Sequence, residues 1–214
     1  MLIYTPKITS RTEYTFNLIF DTVWEIEYKL TDDVEFFKEY TANKLNYSSK
    51  KIDDEFFIKR YGLLEEEGVS VQEINFNEWN SLPIFYQNSD EIIPFDVFSA
   101  TFFLVSRYEE YLPHIKDHYN RFTAKESLAY KHNFLDRPLV NLWLLECKKV
   151  LLNHFPSLTF SDKKFSYQST IDIDNAYCFL EKGFVRSTAS FIKSAFEMDK
   201  ELIKQRKDVL LGKE

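Results

Sequence analysis

The sequence predicts an α/β fold, with a mixed domain of a small sheet and packed helices over residues 1–163 and a shorter strand-then-helix segment over residues 164–214. Three observations carry that expectation. The N-terminus reads in β–α–β order, short extended pieces follow it, and from Pro94 the apolar pattern turns helical. An apolar fraction of 44% is ample for a core, and 29% charged residues argue against wholesale disorder.

Leu2 to Tyr4 reads as a strand that Pro6 ends. Ser10-Arg11-Thr12-Glu13 has N-cap character, and Tyr14, Leu18 and Ile19 then recur at helical spacing before Asp21. Over Val23 to Tyr28, Trp24, Ile26 and Tyr28 alternate with charged residues, which predicts a half-buried strand. Lys44 to Ser48 and Glu55 to Lys59 are two more extended pieces, and Gln72 to Phe76 sets Ile74 and Phe76 on one face. Pro94-Phe95-Asp96 opens a helix whose Phe95, Phe98, Phe102 and Val105 form a stripe running towards Tyr111. Leu139 to Phe155 is a second amphipathic helix, entered after Pro138 and closed before Pro156. The polar stretch Pro156 to Lys164 marks the domain boundary. Beyond it, Phe165 to Asp174 reads as a strand, and a charged helical pattern runs from about Ser187 to Leu211.

Composition excludes several functions. The four glycines form no Gly-rich phosphate cradle, and a formal charge of −7 counts against a nucleic-acid partner. No nucleophile elbow or Cys–His pattern supports covalent acyl-enzyme chemistry. Cys147 and Cys178 lie in helical surroundings with no second thiol at metal spacing, and read as reduced. The N-terminus lacks a signal peptide's basic and apolar regions, and no apolar run reaches membrane-spanning length. A cytoplasmic protein with no membrane span is the expectation.

The sharpest chemistry candidate is Thr170-Ile171-Asp172-Ile173-Asp174. In an extended chain, residues i and i+2 face the same side, roughly 7 Å apart. Both carboxylates then point into one space at a strand end, where one can hold a divalent metal and the other handle a proton. The plainer reading has Asp174 capping the next helix and Asp172 solvated. His114 and His118 form an HxxxH, but Pro113 and the polar residues around them predict a loop rather than a metal-sharing helix. Arg107-Tyr108-Glu109-Glu110-Tyr111 reads as local ion pairing at a helix end. Arg121 to Ser127 and Leu135 to Pro138 are polar connections that either line a binding surface or merely connect helices.

Three stretches, Pro94 to Tyr111, Arg121 to Tyr130 and Thr170 to Asp174, together resemble the front half of the polysaccharide deacetylase-like proteins of Bacteroidota. Those proteins carry a family-specific N-terminal domain ahead of a NodB-homology domain, a distorted (β/α) barrel that removes acetyl groups with a divalent metal. The resemblance implies that residues 164–214 are the first strand and helix of such a barrel, truncated. It makes Asp172 the general base and Asp174 a ligand of zinc or a similar metal. The substrate it implies is a glycan or sugar precursor. Ile173 separates two aspartates that are usually adjacent in that motif. The family's two histidine ligands follow the aspartates, whereas every histidine here precedes Asp172. The expectation is therefore a chain that binds no metal and deacetylates nothing by itself, drawn from a longer deacetylase. The alternative is a non-catalytic carbohydrate-binding or scaffolding module in which Asp172 and Asp174 are structural.

Overall fold

The computed structural model describes residues 1–88, 91–161, 164–172, 188, 192 and 200–212. The chain divides into two compact units, Met1–Lys163 and Lys164–Glu214.

The first unit is built on four short parallel strands: β1 (Leu2–Tyr4), β2 (Lys29–Thr31), β3 (Lys44–Ser48) and β4 (Phe56–Lys59), in the order β2-β1-β3-β4. Ile3 pairs with both Leu30 and Leu45, and Tyr47 pairs with Ile58. Parallel sheets are covered on both faces, and Leu45 to Ser48 and Phe56 to Ile58 are accordingly buried.

Helix α1 (Ser10–Phe16) connects β1 to β2. Thr9 caps it, its hydroxyl accepting from the Thr12 N–H at 3.1 Å. The helix widens into a π-helical turn over Asn17–Val23, closed by the Trp24 N–H on the Ile19 carbonyl at 2.9 Å. This turn corrects the strand expected over Val23 to Tyr28. Glu25 takes a left-handed φ of 54°, which breaks any strand, and Trp24 and Ile26 are buried through the irregular return to β2. Helix α2 (Val34–Glu39) is capped by Asp33, whose Oδ1 accepts from the Glu35 and Phe36 N–H groups. It places Phe37 against Tyr4, with ring centroids 5.4 Å apart.

The β3-to-β4 connection is unusual. Parallel neighbours generally need a crossover of about a dozen residues or more, yet here only residues 49–55 return the chain. Glu55 organises the return. Its buried carboxylate accepts from the Asn46 side chain at 2.6 Å, the Ile52 N–H at 2.9 Å and the Asp53 N–H at 2.6 Å. Burial alone raises a carboxyl's pKa, but these donors hold Glu55 net below its ordinary value.

A hairpin, β5 (Asn77–Trp79) and β6 (Leu82–Ile84), turns at Asn80 and Ser81, both at positive φ as a type I′ turn requires. Residues 72–76, expected to be extended, precede it without forming a strand. Helix α3 (Val97–Val105) starts at Asp96, and a short α4 (Leu128–Lys131) follows it. Helix α5 (Leu139–His154) buries Leu139, Trp143, Leu144, Cys147 and Leu151 along one face. Trp143 packs on Phe85 and Phe95 and donates its indole N–H to the Pro83 carbonyl at 3.0 Å. In the same core, Phe16, Phe20, Tyr47 and Phe98 pack against one another, the Phe16 and Phe98 centroids 4.5 Å apart.

In the second unit, α6 (Lys200–Leu210) is helical as its pattern predicts. The strand expected over Phe165 to Asp174 is absent over its described part. Lys164 to Asp172 is irregular chain, with Phe165, Tyr167 and Ile171 exposed. A strand needs a neighbour for its backbone groups, and no described residue pairs with this one. No helix among the described residues is long and apolar enough to cross a membrane.

Candidate functional site

At the C-terminal end of α3 the chain passes through Ser106 into Arg107, a non-glycine residue in the left-handed conformation (φ 54°, ψ 42°). Such backbone is costly and clusters at functional sites. It redirects the chain into a 3₁₀ turn, Tyr108–Tyr111, and aims consecutive acids in different directions. The Arg107 guanidinium pairs with Glu110 three residues on. Glu109 reaches farther, its Oε2 accepting the Leu128 N–H at 2.8 Å at the start of α4. Ser127 caps α4, accepting from the Tyr130 N–H at 3.1 Å and donating to the Ala124 carbonyl at 2.6 Å.

These contacts gather three connections around one cavity of about 540 Å³: the Arg107 turn, the segment from Phe122 to Ser127, and the entry to α5 from Phe134 to Asn141. That volume lies within the roughly 300–1,000 Å³ typical of small-molecule sites. Its apolar part includes Leu104, Leu139 and Val140, and its polar groups include Glu109, Arg137 and Asn141. Burial pushes the Glu109 carboxyl above its ordinary range, against the pull of the Leu128 N–H and nearby Lys131. A cleft holding a perturbed carboxyl is a reasoned place to look for binding.

Two other regions are weaker candidates. A wider groove of about 1120 Å³ follows the free edge of β2, between Tyr14 of α1 and Phe36 of α2. Its acids Glu13, Asp21 and Glu27 all stand exposed, and burial, with Asp21 and Glu13 nearby, pushes the Tyr28 phenol upward. At the sheet's switch point, between β1 and β3, ligands commonly bind beyond the strand ends. Here those groups are internally engaged: the Thr5 N–H meets the Thr31 carbonyl, and the Ser48 hydroxyl meets the Lys50 carbonyl.

The expected carboxylate pair is only partly visible. Asp172 is exposed on irregular chain, and Asp174 and Cys178 lie outside the described residues. His114 sits in a loop, its Nδ1 2.8 Å from the Leu112 carbonyl and its ring against Phe122, while His118 lies against Tyr119. Among the described residues no three His, Cys, Asp or Glu side chains converge, so those residues do not fit a divalent metal. Local ion pairing correctly describes Arg107 with Glu110. It misses Glu109, whose partner lies across the intervening loop, and Asn141, which has no sequence signal.

No curated protein and no solved structure matches the chain. Residues 1–156 match the model of DUF7033, a family of unknown function. That match spans most of the sequence, and the chain belongs to the DUF7033 family.

Proposed function

We propose that this chain is the N-terminal part of a metal-dependent polysaccharide deacetylase, and that Met1–Lys163 is its non-catalytic, glycan-recognising domain. One observation chiefly supports the reading. Two of the stretches that resemble deacetylase-like proteins, Pro94 to Tyr111 and Arg121 to Tyr130, line one cavity although a loop separates them in sequence. The Glu109–Leu128 hydrogen bond ties one directly to the other. Under this reading Asp172 is the general base and Asp174 a metal ligand of a NodB-type barrel that downstream residues complete. The substrate is a glycan or sugar precursor, and the 214-residue chain is inactive alone.

The coding sequence beyond Glu214 tests this directly. An HxxxH segment after a further strand-like stretch is expected. An open reading frame that ends without one would remove the deacetylase reading and leave Met1–Lys163 as a binding or scaffolding module.

A further inference from the structure

Resting on that reading, we propose that the cavity beside Arg107 takes a neutral, N-acetylated amino-sugar residue and discriminates against the free amine that deacetylation leaves. Its charged lining balances, because Arg107 and Arg137 oppose Glu109 and Glu110. Arg107 and Glu110 are already engaged with each other. The polar groups left for a ligand are the second oxygen of Glu109, the Arg137 guanidinium and the Asn141 amide. Arg137 makes only a 3.4 Å contact to the Ser81 carbonyl, and both Arg137 and Asn141 are exposed.

This set fits a ligand that donates and accepts without carrying charge. A sugar hydroxyl can donate to Glu109, and an amide carbonyl can accept from Arg137 or Asn141. An ammonium would gain from Glu109 what it loses to Arg137, and a phosphate or carboxylate the reverse, so the balanced charges reward neither and the apolar wall makes the distinction. The apolar wall of Leu104, Leu139 and Val140 gives an acetamide methyl a surface to leave water for, which an amine or hydroxyl in the same place could not use. An accessory domain with this preference would hold a glycan where acetyl groups remain.

Calorimetric titration of the 214-residue chain with three tetrasaccharides tests the inference: N-acetylglucosamine, glucosamine and glucose oligomers. The acetylated oligomer is expected to bind with a Kd below about 1 mM, and the other two at least about tenfold more weakly. Arg137→Ala and Asn141→Ala, both at exposed positions, should each weaken it about tenfold with the circular dichroism spectrum unchanged. Equal or tighter binding of the glucosamine oligomer, no binding of the acetylated one, or indifference to both substitutions overturns the inference. Acetate release by the longer polypeptide is read separately. Selective binding without turnover keeps this inference and removes the deacetylase reading, and turnover without selective binding does the reverse.

Discussion

The Tyr47 hydroxyl donates to the buried Asp96 carboxylate across 2.8 Å, joining β3 to the first turn of α3. Asp96 also accepts from the Tyr61 N–H at 2.7 Å and caps α3 through the Phe98 and Ser99 N–H groups at 3.1 and 2.9 Å. One carboxylate thus ties β3 and the segment that leaves β4 to the helix that leads into the candidate cavity.

Asp96→Ala leaves those donors buried without an acceptor and uncaps α3, so a loss of about 3 kcal/mol or more is expected. Tyr47→Phe keeps the three backbone donors satisfied and should cost about 1–2 kcal/mol. Urea unfolding of both variants checks the order. Burial pushes the Asp96 pKa above its ordinary 3.8, against the pull of its donors. The folded state therefore holds this proton more tightly than the unfolded one. The Asp96 contribution falls as pH rises from 3.8 through the raised value and is level above it.

Glu55 carries the opposite sign. Its donors outweigh burial and hold its pKa below 4.5, so its contribution is present above 4.5 and lost as pH falls through the lowered value. Glu55→Gln should flatten the acid limb of the stability profile. Glu55→Ala should cost about 2–3 kcal/mol, because the Asn46 amide and two loop N–H groups lose their acceptor. Urea midpoints measured across acid pH separate the two variants from the parent chain.

Arg107 holds a conformation in which glycine is unstrained. Arg107→Gly relieves about 1 kcal/mol of left-handed strain while losing an exposed ion pair worth less than that, so stability should hold or rise slightly. Arg107→Val, whose branched side chain tolerates positive φ poorly, should cost about 1–2 kcal/mol. Thermal unfolding of the two variants gives the comparison.

Much of the fold is legible in local pattern. The Leu139 helix stands out because its burial follows a helical period and prolines bracket it, and the Lys44 to Ser48 strand because it is a short extended run set off by a polar stretch, buried on both faces. Where a backbone conformation decides, the pattern misleads. Trp24, Ile26 and Tyr28 alternate like a strand, yet Glu25 at positive φ turns them into the exit of a π-helical turn. The hairpin at Asn80-Ser81 lacks the glycine that usually betrays a type I′ turn. The cavity was legible only as separate polar loops. Its assembly depends on the Glu109–Leu128 hydrogen bond, a pairing across the chain that no spacing rule encodes.

Acetate release from an N-acetylated oligosaccharide tests the central proposal most directly, comparing the longer polypeptide, its Asp172→Asn form and the 214-residue chain. Release by the longer polypeptide alone is the predicted result. No release by any of them, or equal release by the Asp172→Asn form or the 214-residue chain, would contradict it.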